Sequence, residues 1–122
     1  MTKDAALYSF FSGFGITACA STAVPSDIVF PYLTYTPIYD AWGGEPVSLT
    51  VNLWYYGASE KPANEKAQEI SQALEGGKVL QCDEGFIWLH RGTPFCQNIA
   101  QEDNNNIKGR YLNITAEYLT HY

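Results

Sequence analysis

Charge of either sign is scarce in this chain: charged residues make up 16% of its 122 positions, and only seven residues are Lys or Arg. No stretch gathers those cations into a stripe that could follow a phosphate backbone, and the formal net charge is −6, so nucleic-acid binding driven by counterion release is not expected. Apolar runs are short as well. None approaches the roughly 18 residues that a membrane-crossing helix needs. The start, Met1-Thr2-Lys3-Asp4, leads into a helical pattern rather than an apolar segment followed by small residues, so no secretory signal is read there. The expectation is a protein made and kept in a cytoplasm, with no membrane partner.

Cysteine is sparse too. The three, at positions 19, 82 and 96, match neither a CxxC pair nor the spacing of zinc ligands. They are read as reduced, buried thiols, because a free Cys packs like a small hydrophobe. Ser9, Ser12 and Ser21 are not set in a nucleophile elbow, and no glycine-rich loop has the spacing of a phosphate cradle. His90 and His121 fall at opposite ends of different predicted strands, with no nearby Cys, Ser or carboxylate in a recognised motif, so neither is read as a general base. Asp83 and Glu84 are adjacent on a predicted turn and are read as pointing to water, not as an acid pair flanking a cleft. Asn113-Ile114-Thr115 spells a glycosylation sequon inside a predicted strand and is read as chance. No catalytic residue, cofactor or metal ligand is assigned, and no enzyme is expected.

What the chain does contain is hydrophobic and aromatic. Hydrophobic residues reach 46% and aromatics 15%, with nine Tyr and three Trp. That composition folds into a single domain over residues 1–122, and it carries more amphipathic ring area than a core of this size can hide. Leu7, Phe10, Phe11 and Phe14 recur at helical spacing between Asp4 and Phe14. A short strand is placed around Thr17 to Cys19, and another begins just after Pro31, which offers no ladder donor. Val47, Leu49, Val51, Leu53 and Tyr55 alternate with Ser48, Thr50 and Asn52, the mark of a half-buried strand. Ala63, Ala67, Ile70 and Leu74 form the stripe of a second helix from Lys61 to Leu74, with Ser59 as its predicted N-cap and Gly76-Gly77 as its stop.

Lys78 to Gln81 and Phe86 to His90 are predicted strands joined by a hairpin turn, and Arg91-Gly92-Thr93-Pro94 is predicted to turn the chain again. The polar run from Gln101 to Asn106 separates Phe95 to Ala100 from a last strand, Arg110 to Leu119, where Leu112, Ile114, Ala116 and Tyr118 alternate with Asn113, Thr115 and Glu117. No strand-helix-strand repetition appears. The economical architecture is α+β: a mainly antiparallel sheet with two helices packed on one face.

Planar aromatics on a sheet face suit a protein interface or a sugar ring, and Trp54 interrupts the polar side of its strand. The segments Asp40 to Glu45 and Gln101 to Arg110 are long for loops of a compact domain, which marks them as contact regions. The candidate protein-interface residues are therefore Trp42, Glu45, Trp54, Tyr56, Asp103, Asn105, Lys108 and Arg110.

With these segments in place, the chain resembles the tail terminator proteins of long-tailed bacteriophages, often called minor tail or head-tail joining proteins. The resemblance is carried by Phe30-Pro31-Tyr32-Leu33-Thr34-Tyr35 after an N-terminal helix, by Val47 to Tyr55, and by Asn64-Glu65-Lys66-Ala67 opening the middle helix. It continues through Gly85-Phe86-Ile87-Trp88-Leu89, Pro94-Phe95-Cys96-Gln97 and Arg110 to Tyr118. It implies a structural virion protein, assembled in the host cytoplasm as a homo-oligomer. Its hexameric ring would cap the head-proximal end of the tail and bind the tail tube protein and the connector or neck protein. DNA would pass through such a ring without specific binding, since acidic copies offer phosphates no cation. A neighbouring neck or connector subunit is an alternative. A monomeric module that binds a sugar or small ligand through exposed aromatics is the reading from a different class.

Overall fold

The structure, a computed structural model, describes residues 1–100 and 104–122. Its elements run α1 (Lys3–Ser12), β1 (Thr17–Ala20), β2 (Tyr32–Thr36), β3 (Val47–Tyr56), α2 (Lys61–Ala73), β4 (Lys78–Cys82), β5 (Gly85–Ala100) and β6 (Ile107–Thr120). Among the described residues the strands form one six-stranded sheet in the order β1-β2-β3-β6-β5-β4, parallel between β1 and β2 and antiparallel elsewhere. The expected α+β architecture is what is observed.

Alternation in the strands explains the layering. Register sets Leu33 beside Leu53, Val51 beside Leu112, Leu49 beside Ile114, Leu89 beside Ala116 and Ile87 beside Tyr118, so one face of the sheet is continuously apolar. These residues share a single buried cluster with Leu7, Phe11 and Phe14 from the first helical segment and Ala67, Ile70 and Leu74 from the second. α2 packs against the middle strands β3, β6 and β5, whereas α1 touches both β1 and β4, the two outermost strands. A flat sheet could not bring its edges to one helix; this one curls, and α1 bridges the gap.

Thr2 caps α1 by accepting from the Ala5 amide at 3.2 Å. The cap of α2 differs from expectation. Glu60 occupies the cap position without a side-chain bond to the helix, and Ser59, one residue earlier, accepts from the Lys61 amide at 3.1 Å. Pro62 in the first turn has no N–H, which leaves one fewer donor to satisfy.

The predicted turn at Arg91 to Pro94 is absent. β5 runs on to Ala100 and absorbs the segment as a bulge, in which residues 92–95 face the single residue Asn113 between the pairs Arg91–Ile114 and Cys96–Leu112. Pro94 interrupts the ladder, but β6 offers a partner long enough to resume pairing beyond it. The predicted loop at Gln101 to Arg110 is likewise shorter, because Ile107 already pairs with Tyr56 and Arg110 with Leu53. Of the three cysteines, Cys82 is buried and Cys19 half-buried, while Cys96, expected in the core, is exposed just past the bulge.

At the C-terminal end of the sheet the buried Tyr118 hydroxyl donates to the Ile38 carbonyl at 2.6 Å. Burial, reinforced by the carboxylate of Asp4, pushes its phenol up to about 12 from 10.0. The fold therefore favours the protonated ring. This contribution is complete below pH 10 and is lost as pH rises from 10 to about 12. Tyr118→Phe is expected to cost about 0.5–1.5 kcal/mol at neutral pH through the lost hydrogen bond. Urea unfolding across that alkaline window should then show a shallower loss of stability in the variant than in the parent. The remaining slope includes Tyr32, Tyr35 and Tyr55, whose phenols burial also pushes up, and the thiols of Cys19, Cys82 and Cys96, raised for the same reason.

Candidate protein interface

The face of the sheet opposite the helices is uncovered, and its side chains follow from the other half of the alternation. Rows across the strands read Tyr32, Trp54, Gly109 and Ile99 near one end, and Gln81, Phe86 and Leu119 at the other. Between them lie polar rows such as Thr34, Asn52, Tyr111 and Gln97, then Ser48, Thr115 and His90. The apolar ends are far apart. Ile107 and Leu119 stand at opposite ends of β6, about 40 Å along the strand.

At the first corner the Trp54 indole lies flat over Gly109. A Cβ there would stand 2.7 Å from the indole ring and 3.1 Å from Ile99, so glycine is what lets the ring down onto the sheet. Phe30 packs against Tyr32 and Tyr56 at centroid distances of 5.4 and 5.7 Å, and Tyr56 remains 58% exposed. The rings of Phe30, Tyr32 and Trp54, with Val24, Thr34 and Ile107, bound a shallow hollow of about 330 Å³, and Tyr56 packs beside it on Phe30.

The second corner is a groove of about 450 Å³ with Trp42, Phe86 and Leu119 on its sides. Trp42 is 74% exposed, yet its backbone is fixed: its amide donates to the Thr120 carbonyl at 2.7 Å, and a turn closes behind it from the Gly44 amide to the Ala41 carbonyl at 3.1 Å. Gly85, at φ 142°, carries the β4–β5 turn so close to β6 that a Cβ would meet the Leu119 carbonyl oxygen at 2.3 Å. Glu84, expected in water, lines this groove and is only 7% exposed. The tight turn rotates it inward, and its backbone carbonyl accepts from the His121 amide at 3.1 Å.

The polar middle holds the Thr50 and Tyr111 hydroxyls at 3.3 Å from each other, and the His90 ring nitrogen and the Glu117 carboxylate at 3.3 Å, with the Trp88 and imidazole ring centroids 4.5 Å apart. No group of three or more His, Cys, Asp or Glu among the described residues is arranged to hold a metal ion, and no helix among them is long and apolar enough to cross a membrane.

The eight residues singled out from the sequence fall in several places. Trp54 and Tyr56 belong to the first corner. Trp42 belongs to the second, and Glu45 is exposed further along the same loop. Asn105 is exposed at the β5–β6 connection, and Asp103 lies outside the described residues. Lys108 and Arg110 face the other way, toward the start of α2. Arg110 is 1% exposed, donates to Asn64 Oδ1 at 2.8 and 3.0 Å, to its neighbour's carbonyl at 2.8 Å and to Glu60 at 3.2 Å. Lys108 reaches the other Glu60 oxygen at 3.8 Å. Arg110 is thus consumed inside the fold, anchoring α2 to the sheet, and offers nothing to a partner. Phe86 and Leu119 were missed, although both sit in phase with the outward residues of their strands, Trp88 and His90 in β5 and Asn113, Thr115 and Glu117 in β6.

Asn64→Ala removes two of the Arg110 bonds and leaves a buried guanidinium short of acceptors, which is expected to cost about 1.5–3 kcal/mol in urea unfolding. Lys108→Ala, on a carboxylate that is itself half exposed, should cost less than about 1 kcal/mol. Equal costs would mean that the pairing with Glu60, not the guanidinium's hydrogen bonds to Asn64, holds α2 in place.

Comparison of the chain with protein-family models, with curated proteins and with solved structures finds no match.

Proposed function

We propose that this protein is a structural assembly subunit of the tail terminator type, closing head to tail with further copies into a hexameric ring that joins a phage tail tube to the neck of the capsid. The observation that carries the reading is the pair of unlike apolar corners at opposite ends of one uncovered sheet face. A two-fold dimer needs one self-complementary patch, whereas a ring needs two different surfaces that fit each other and a rotation that closes. The first corner projects Phe30 and Tyr56; the second is a groove beside Trp42. Large aromatics held in place on a rigid sheet are the side chains that dominate interface energetics. The polar rows between the corners supply a face of modest stickiness, and the net charge of −6 per copy suits a lumen that lets DNA slide. The sequence resemblance adds the tail and capsid neck as the partners of the two ring faces.

The test is native mass combined with electron microscopy of the purified protein and of two variants, Tyr56→Ser and Trp42→Ser. Rings are expected for the parent and folded monomers for each variant alone. An equimolar mixture of the two variants should stop at dimers, since only one intact seam can then form per pair. A parent that stays monomeric when concentrated, or variants that assemble like it, would sink assembly through these corners.

A further inference from the structure

The sheet has a free edge that runs beside a hollow. β4 is its last strand and pairs with β5 alone. The Glu84 carbonyl accepts from the His121 amide at 3.1 Å, which turns the backbone groups of Glu84 and Phe86 toward β6 and those of Gly85, Ile87 and Leu89 toward β4. Their partners Cys82, Leu80 and Lys78 therefore spend their backbone groups inside the sheet, while Val79, Gln81 and Asp83 turn theirs away from it. One of these outward places is filled, since the Asp83 amide donates to the Met1 carbonyl at 2.6 Å. Val79 and Gln81 have no backbone partner on that side among the described residues. Exposed edges are commonly blunted by a proline, a bulge or a covering element. β4 contains no proline, and its register with β5 is unbroken. The helix that crosses from β4 to β1 does not close over the edge either: a hollow of about 370 Å³ separates Ala6, Ser9 and Phe10 of α1 from residues 78–81 of β4.

We propose that this edge receives an extended segment of a partner protein as a further strand, running antiparallel to β4. The free backbone groups dictate the occupant's conformation: in an antiparallel pair the residues opposite Val79 and Gln81 exchange both N–H and C=O bonds with them. The side chains around the edge dictate its sequence. Leu80 points into the core, so the residue opposite it turns toward Ala6 and Phe10 and is apolar. Val79 lies on the uncovered face and is 57% exposed, and a β-branched residue opposite covers it. A polar residue suits the place opposite Gln81. Lys78 makes no ion pair among the described residues, which favours an acid opposite it. Read from its N-terminal end, the occupant is polar, apolar, β-branched and acidic. Neither Val79 nor Gln81 lines the hollow of either corner, so the proposal does not rest on the ring reading.

The probe is the peptide acetyl-Thr-Val-Val-Glu-Thr-amide, titrated into the whole protein while amide hydrogen exchange is followed at Val79 and Gln81. A dissociation constant of about 1 mM or tighter is expected, with exchange slowed at both amides. The same peptide N-methylated at its first Thr and second Val, whose amides would face β4, should not bind. Val79→Pro removes an N–H that the β4–β5 ladder does not use, so it should leave the urea midpoint in place and weaken the peptide about fivefold or more. Replacing the peptide's Glu by Gln should weaken it about two- to fivefold. Equal binding of the N-methylated peptide, or binding that leaves exchange at Val79 and Gln81 unchanged, overturns the site. Loss of the fold in Val79→Pro would show that this N–H serves the ladder and overturn the assignment of the edge. An affinity indifferent to the peptide's charge overturns the antiparallel register. Exchange at both amides that slows with protein concentration and without peptide would identify a second copy as the occupant and overturn the partner.

Discussion

The period-two alternation of β6 is the constraint on which the rest depends. Placed between β3 and β5, this strand pairs with β3 from Ile107 to Ala116 and with β5 from Lys108 to Thr120 apart from the bulge at Asn113, so its own in-and-out pattern decides the identity of both faces of the sheet. Leu112, Ile114, Ala116 and Tyr118 commit one face to the helices; Ile107, Tyr111, Asn113, Thr115 and Leu119 commit the other to the outside. A slip of one residue would exchange the two sets, burying Asn113 and Thr115 and exposing the core of every neighbouring strand. The two apolar corners are therefore not accidents of surface composition. They are the ends of the outward phase of a register that the core enforces.

Arg110 is the exception within the inward phase, and it shows how the fold tolerates a charge there. The guanidinium spreads its donors over an amide oxygen, a backbone carbonyl and a carboxylate. All the side-chain acceptors come from the first turns of α2. A helix whose stripe is largely alanine has little volume with which to fix its own position, and the guanidinium supplies direction that Ala63 and Ala67 cannot.

The strands with clean alternation, β3 and β6, and the alanine stripe of α2 were legible in the sequence because each pattern is local and periodic. The α+β layering followed from their order. What was not legible is non-local. Arg110 follows a polar run and reads as a surface cation until Asn64 and Glu60, far earlier in the chain, are brought to it. Glu84 reads as a turn carboxylate until the Gly85 backbone folds against Leu119 and draws it inward. The bulge at 92–95 depends on β6 being long enough to take up pairing again after Pro94. The bridging of β1 and β4 by α1 depends on the curl of the whole sheet, which no window of residues encodes. Of the candidate interface residues, Trp42, Trp54 and Tyr56 are exposed or half-exposed aromatics at the corners, while Lys108 and Arg110 are turned to Glu60 and the start of α2.

The central position of β6 also bears on the order of events during synthesis. β3 and the β4–β5 hairpin have no ladder between them without it, so a ribosome that has made everything up to the polar run holds two separate half-sheets with their apolar faces unshared. Closure of the core, and with it the presentation of both corners, waits for the final strand to emerge. Until then the apolar faces and open edges of the two half-sheets are exposed, the state in which a chain of this topology is most open to mispairing.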